Sequence, residues 1–501
     1  MVMKEMEKRP IRMSDSNRSV QLSEAEIRAI YAQGEGAVVI LVTQLLERLK
    51  SLEREVKELQ GRLSKDSQNS SKPPSSDGLG KRTKSLRRKS EKPSGGQKGH
   101  RGQTLEWQSE PDVVERHPVE MCSECGTSLA GAGVEEVIAR QVLDLPPIEL
   151  KVTEHQVEVK SCPHCGQVNK GSFPAEANSV VQYGPRLKSM MVYLMEGQLL
   201  PSNRVCEVLT DLLGVTVSEG TLYTNREQCF EGLATIESEI QRAIQDSKVV
   251  NFDETGLRVN KQLWWLHVAA TDGLTYYFVH DKRGREAMDE MGILPEFKGH
   301  AVHDGWQSYQ GYDCEHVLCN AHHLRELQYI LEQYEQPWTF QMSVLLVSIH
   351  HWVETLKAQG VIALPPGDLA VLESRYQAIL EEGFAANPLP EVIKTRVRKR
   401  GRPKRSPPRN LLERLRTHQE SVLAFMQDFT LPFDNNQAER DLRMMKLKQK
   451  ISGTFRSADG ARQFCRIRAY LATIRKQGLN VLDALFNLFA GNPQSPLPQP
   501  E

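Results

Sequence analysis

The sequence predicts a multidomain α+β protein. Three observations predict it. Strand-type runs crowd residues 248–330 and have helical patterns on both sides. A heptad seam lies near the N-terminus, and two Cys-x-x-Cys pairs follow it. At 501 residues the chain is too long for one core and long enough for several.

Composition narrows the function classes. The 64 basic and 64 acidic residues cancel overall, but the basic residues are locally concentrated. No apolar run approaches the roughly 18 residues of a membrane helix. The opening "MVMKEMEKRPIRMSDSNRS" is charged without an apolar centre, so a cytoplasmic protein without a secretory signal is expected. Nine Cys in such a chain are not a disulfide framework, and two paired knuckles in a reducing compartment favour metal binding.

Residues 1–35 read as a flexible N-terminus with a short helical fragment around Leu22 to Tyr31. From 36 to 66, Val38, Val42, Leu45, Leu49, Leu52, Val56, Leu59 and Leu63 alternate at intervals of four and three with charged residues between them. That is the a/d seam of a coiled coil, which predicts a homodimer or higher oligomer; an amphipathic helix packed on its own domain is the alternative. Residues 67–105 are rich in Ser, Pro, Gly and Lys and read as a disordered basic linker. Lys81 to Arg101 hold nine Lys or Arg against one acid, so Lys81, Arg82, Arg87 and Arg88 are candidate phosphate contacts.

A zinc-binding ribbon is expected over 106–178. "CSECG" and "CPHCG" place Cys122, Cys125, Cys162 and Cys165 in two tight knuckles, each closed by Gly. Four thiolates suit one tetrahedral, structural Zn²⁺ with no open position. Between the knuckles lie "VIARQVLDLP" and "IELKVTEHQVEVK", the latter alternating like strands.

Residues 179–245 are helical in pattern. One helix ends at Leu213-Gly214, and Ser218 can cap a second near Glu219. This is helix-turn-helix spacing, which many helical hairpins share. Three strand runs follow from Ser247, then a helix at "REAMDEMGIL", then "GHAVHDGWQSY" and "CEHVLCNAHHLREL". This core, 246–332, is interrupted by a helical insertion, 333–425, and resumes at 426–456. The insertion carries a basic loop, 394–409, with nine Arg or Lys and no acid. Its Arg400, Arg402 and Lys404 surround Gly401-Arg402-Pro403, an extended segment able to enter a narrow minor groove. C-terminal helices and a tail, 457–501, close the chain.

Asp253 and Asp304 each end an apolar strand, and Glu439 leads the basic helix "NNQAERDLRMMKLKQKISG". Singly, a strand-end Asp often serves a turn, and a first-turn Glu complements the helix dipole. Together they are three hard oxygen donors suited to Mg²⁺ or Mn²⁺. Glu254 should point to the opposite face of its strand, and Asp441 lies off the helical face of Glu439. Asn436 shares the side of Glu439. Arg440 and Arg443 are candidate phosphate contacts, with a Glu439–Arg443 pair as the competing use of Arg443.

The stretches "SKDSQNSSKPPSSDG", "GGQKGHRGQTL", the paired knuckles, "DETGLRV", "HDGWQSY", "LCNAHHLREL" and "NNQAERDLRMMKLKQKISGTFRS" occur in an order that resembles DDE transposases of the insertion-sequence sixty-six (IS66) family across nearly the whole chain. The resemblance implies a ribonuclease-H-like catalytic core with a helical insertion, preceded by coiled coil, zinc ribbon and helical DNA-binding region. It maps the catalytic, Mg²⁺-binding acids onto Asp253, Asp304 and Glu439. It implies double-stranded DNA as partner (transposon ends and target), accessory proteins of the same element, and a bacterial, nucleoid-associated location. The activity implied is metal-dependent 3′-end cleavage and strand transfer. One departure is "CNAHHLREL": Cys319 and His322 are kept while Asn320 and His323 differ from the family pattern, so Cys319 and His322 either support the site, contact DNA or pack a junction. The rival reading is a non-catalytic zinc-containing DNA-binding regulator; a nuclease that only hydrolyses is a third.

Overall fold

The computed structural model describes residues 23–63, 105–146, 148–174, 176–389 and 405–497. The basic linker, most of the expected basic loop, and with them Lys81, Arg82, Arg87, Arg88, Arg400, Arg402 and Lys404, lie outside the described residues.

The N-terminal unit is two helices, α1 (Glu24–Tyr31) and α2 (Glu35–Leu63). Ser23 and Glu26 form a reciprocal capping box at the start of α1. Gly34, at φ +97°, makes the turn between the helices that an L side chain would resist. The heptad residues Val42, Leu45, Leu49, Leu52, Val56, Leu59 and Leu63 are all exposed along α2.

The second unit opens with the two cysteine knuckles. The strands β1 (Val159–Ser161) and β2 (Val168–Lys170) pair antiparallel, and Cys162 and Cys165 stand in the turn between them. Of the strand pattern expected over 148–160, only Val159 and Lys160 enter β1; Val152 stays exposed. Alternation specifies a strand only where one face has something to bury, and here neither does.

Four helices follow: α3 (Pro185–Val192), α4 (Ser202–Leu213), α5 (Glu219–Gly232) and α6 (Ala234–Gln245). Gly214 caps α4 at φ +65°, and the Ser218 hydroxyl accepts the Thr221 N–H at the head of α5, a cap worth about 1 kcal/mol.

The central sheet has five strands, β3 (Val249–Val259), β4 (Gln262–Ala270), β5 (Thr275–His280), β6 (His300–His303) and β7 (Glu315–Leu318), in the order β5-β4-β3-β6-β7. β3, β4 and β5 are antiparallel neighbours; β6 runs parallel to β3, and β7 parallel to β6. Helix α7 (Arg285–Met291) supplies the crossover between β5 and β6. Because side chains alternate along β3, Val250 and Phe252 enter one core with α6 and α7, while Leu257 and Val259 enter another on the opposite face.

Between β7 and the next sheet-packing helix lie α8 (Asn320–Tyr334), α9 (Pro337–Lys357), α10 (Pro366–Ala386), α11 (Pro407–Thr417) and α12 (Gln419–Gln427). These five share a core of their own, centred on Trp338, Leu346, Tyr376, Leu412 and Phe425. Helical packing already begins in α8, ahead of residue 333. Arg405 and Arg409, from the end of the expected basic loop, both pair with Glu413 and so anchor α11. The chain then returns to the sheet with α13 (Asn436–Ser452), α14 (Ala458–Lys476) and α15 (Val481–Phe489). Ala438, Leu442 and Met445 of α13 press on Leu257, Val259 and Leu266. Among the described residues, no helix is long and apolar enough to cross a membrane.

Candidate active site

The register of the sheet brings the two aspartates together. The parallel pairing of β3 with β6 ends at Asn251↔Val302. Asp253 and Asp304 each stand two residues beyond that pair, on strands about 4.8 Å apart; Asp304 lies just past the end of β6, whereas Asp253 sits within β3, which runs on to Val259 against β4, and not at a strand end as the sequence suggested. Gly305 follows Asp304 at φ +86°, which turns the chain away and leaves the carboxylate at the sheet's edge. One oxygen of each acid is committed locally: Asp253 Oδ1 accepts the Glu254 N–H at 2.8 Å, and Asp304 Oδ1 accepts the Trp306 N–H at 2.8 Å.

Glu439 arrives from the first turn of α13, packed across β3 and β4. Burial, then the negative charges of Glu254 and Asp304, with Glu439 contributing, push the Asp253 carboxyl well above its ordinary range. The four acids therefore share one electrostatic neighbourhood with too little positive charge in it. As they lie, no three His, Cys, Asp or Glu side chains among the described residues stand close enough to hold a metal ion. Glu439 is turned toward Arg325 of α8, 3.6 Å away. Arg443, the partner that helical spacing offered, is exposed and forms no ion pair with it.

The competing acids are accounted for. Glu254 faces the other side of β3, where Arg283 (2.7 and 2.9 Å) and the Tyr309 hydroxyl (2.6 Å) hold it. Asp441 is drawn into a pair with Lys476 at 2.8 Å and also accepts from Thr275 and Gln437. Both carboxylates are thus engaged by the protein itself.

Four further residues that the sequence singled out lie on α13 or at the head of α8. Asn436 is exposed and bonds back to Asp434, not toward the acids. Cys319 is buried, its thiol pushed up to about 12 by that burial, and its sulfur accepts the Asn435 N–H at 3.1 Å; this placement rules out contact with DNA. His322 lies near Asp304 and Glu439; burial and then Arg325 hold its imidazole below the usual range, and its Nδ1 is buried without a partner. Arg440 is exposed and bonds Gln437.

Two basic residues escaped the sequence reading. Lys446 follows Glu439 by two turns of α13, bonds the Gly256 carbonyl at 3.1 Å and feels the charge of Asp253. Its seven-residue spacing from Glu439 was the available signal. Arg325 had none, because its approach depends on how α8 packs.

The donor chemistry fits a hard divalent cation: three carboxylates with crowded negative charge, one of them pushed well above its ordinary range by burial and by the charges beside it. The cysteines carry donor chemistry suited to zinc, but as they lie the two knuckles do not meet in the single four-thiolate site that the sequence led us to expect. Each knuckle is a turn in which Gly126 (φ +69°) or Gly166 (φ +74°) donates its N–H to the carbonyl of Cys122 or Cys162. Hydrogen bonding from Thr127, with Cys122 adding to it, lowers the Cys125 thiol to about 7, toward the thiolate that binds metal.

Three families match the chain. A family of unknown function matches residues 14–106. The zinc-finger binding domain of transposase IS66 matches residues 120–166, which include all four knuckle cysteines. The Transposase IS66 family matches residues 180–463, more than half of the chain and every element that builds the acidic site. No curated protein matches it. The chain belongs to the IS66 transposase family.

Proposed function

We propose that the chain is a DDE transposase that binds the inverted repeats at the ends of its element, cuts their 3′ ends and joins them to target DNA. The observation that carries the reading is the placement of Asp253 on β3 and of Asp304 just past the end of the adjacent parallel β6, each two residues beyond the last residues paired between the two strands, with Glu439 led in by α13. The strand order, three antiparallel strands followed by two parallel ones, supports a ribonuclease-H-like core.

Asp253, Asp304 and Glu439 hold the catalytic Mg²⁺ or Mn²⁺ in this reading. When bound, such ions supply activation of a water or 3′ hydroxyl and stabilise the leaving oxygen. Arg325 holds Glu439 until the site is loaded, and Lys446 presents its ammonium beside Asp253 to a backbone phosphate. Arg440 and Arg443, exposed on α13, follow the same backbone. The pair α4 and α5 reads the ends, the zinc ribbon and basic segments add affinity, and α2 pairs subunits so that two ends are processed together.

A strand-transfer assay tests this. Purified protein meets labelled DNA carrying the ends that flank its gene, with Mg²⁺. Joined products are expected from the wild type and at least a thousandfold less, in order of magnitude, from Glu439→Gln and Asp304→Asn, with end binding retained by both. Equal activity of wild type and Glu439→Gln would reduce Glu439 to a helix-dipole acid. End binding without joining by any of the proteins would favour the regulator.

A further inference from the structure

Asn435 opens α13, yet its side chain does not cap that helix. It turns into the protein instead and is 1% exposed. Its Nδ2 donates to the Phe252 carbonyl at 2.8 Å, and its Oδ1 accepts from the Asn251 amide at 2.9 Å. A carbonyl can only accept, so the Phe252 contact fixes which end of the Asn435 amide faces β3. Its backbone N–H goes to the Cys319 sulfur at 3.1 Å. Its own carbonyl accepts the Glu439 N–H at 3.3 Å. One residue thus joins the strand that carries Asp253, the β7–α8 junction and the first turn that carries Glu439.

We propose that Asn435 is the positioning residue that sets Glu439 against Asp253. The proposal rests on the metal-site reading of the three acids. Phe252 immediately precedes Asp253, so the amide bridge ties the peptide that orients Asp253 to the helical turn that orients Glu439. A side chain of similar size that cannot bond, such as Leu, leaves the Phe252 carbonyl and Asn251 amide without these partners and frees the head of α13 to shift. Loss of a partner that orients a ligand typically weakens metal affinity about 10–100-fold, without removing any ligand.

The test is a Mn²⁺ titration of the full-length protein followed by electron paramagnetic resonance, in parallel for wild type, Glu439→Gln and Asn435→Leu. Binding to end DNA is read separately by mobility shift, and folding by circular dichroism. The expected result is Mn²⁺ affinity lowered about 10–100-fold in Asn435→Leu, with DNA binding and helix content retained. Strand transfer by this variant should recover as Mn²⁺ is raised. Wild-type affinity in Asn435→Leu, with Glu439→Gln weakened, overturns this proposal alone. Equal affinity in wild type and Glu439→Gln overturns the metal-site reading, and this proposal with it. If Asn435→Leu does not fold, Asn251→Ser, which removes one of the two side-chain bonds, enters the same titration. A several-fold loss of affinity there supports the proposal, and a wild-type value overturns it.

Discussion

Asp441 and Glu439 sit two positions apart on one helix and have unlike surroundings. Asp441 is spent on Lys476, with both side chains largely buried. Glu439 has Arg325 at 3.6 Å and adds its charge to the crowding around Asp253. Replacing Asp441 by Asn should therefore lower the unfolding free energy by ~3 kcal/mol, since it leaves a buried ammonium without its counter-ion, held only by the carbonyls of Thr271 and Leu274. Joining activity per folded molecule should stay near wild type. Chemical denaturation alongside the strand-transfer assay checks both, and a variant that is stable but inactive would move Asp441 into the site. Strand parity was enough to read Glu254 away from Asp253, and helical phase separated Asp441 from Glu439. The same rules mislead at the asparagines: spacing favoured Asn436, whereas the buried and bonded residue is Asn435. Helical phase is undefined at a first residue whose backbone, at φ −100° and ψ 28°, is not yet helical.

Elements were legible where their pattern had something to pack against. The Gly214 and Ser218 boundaries of α4 and α5 follow from end chemistry alone, and the strands of the central sheet from their dense β-branched and aromatic runs. The alternating residues 148–158 form no strand, because no partner strand accompanies them. Helix α2 poses the reverse case, a seam left exposed among the described residues. Its exposed Leu49 and Leu52 would lie at the interface of a coiled coil. Substituting both by Asp should abolish self-association in sedimentation while leaving the zinc content and the catalytic fold unchanged. An unaltered oligomeric mass would show that α2 does not pair subunits.

On the scale of the whole molecule, His267, His303 and His323 are buried in or beside the sheet. Burial is the first cause in each case, and it lowers them to about 4, 3 and 3. His303 also faces His316 and His418, and His323 faces Arg414, His322 and His418, so neighbouring positive charge adds to the effect. The folded chain refuses protons that the unfolded chain accepts from the ordinary value of 6.5 downward. Stability should therefore fall as pH drops below about 6.5, by up to ~1.4 kcal/mol per pH unit for each histidine until its folded value is reached. The raised carboxyl of Asp253 acts in the opposite direction, so denaturant unfolding at pH 7.5, 6 and 5 is compared between wild type and His303→Phe; a slope unchanged by the substitution would mean that the ring is solvated.

The helical insertion, with its separate core, occupies the chain between the second acid and the third. Order along the chain is also order of synthesis. A ribosome delivers Asp253 and Asp304 early, then must finish five helices before α13 emerges. In the proposed reading, the growing polypeptide carries two thirds of a cutting centre throughout that interval. The insertion then acts as a delay line: nuclease chemistry cannot begin until α13 has emerged.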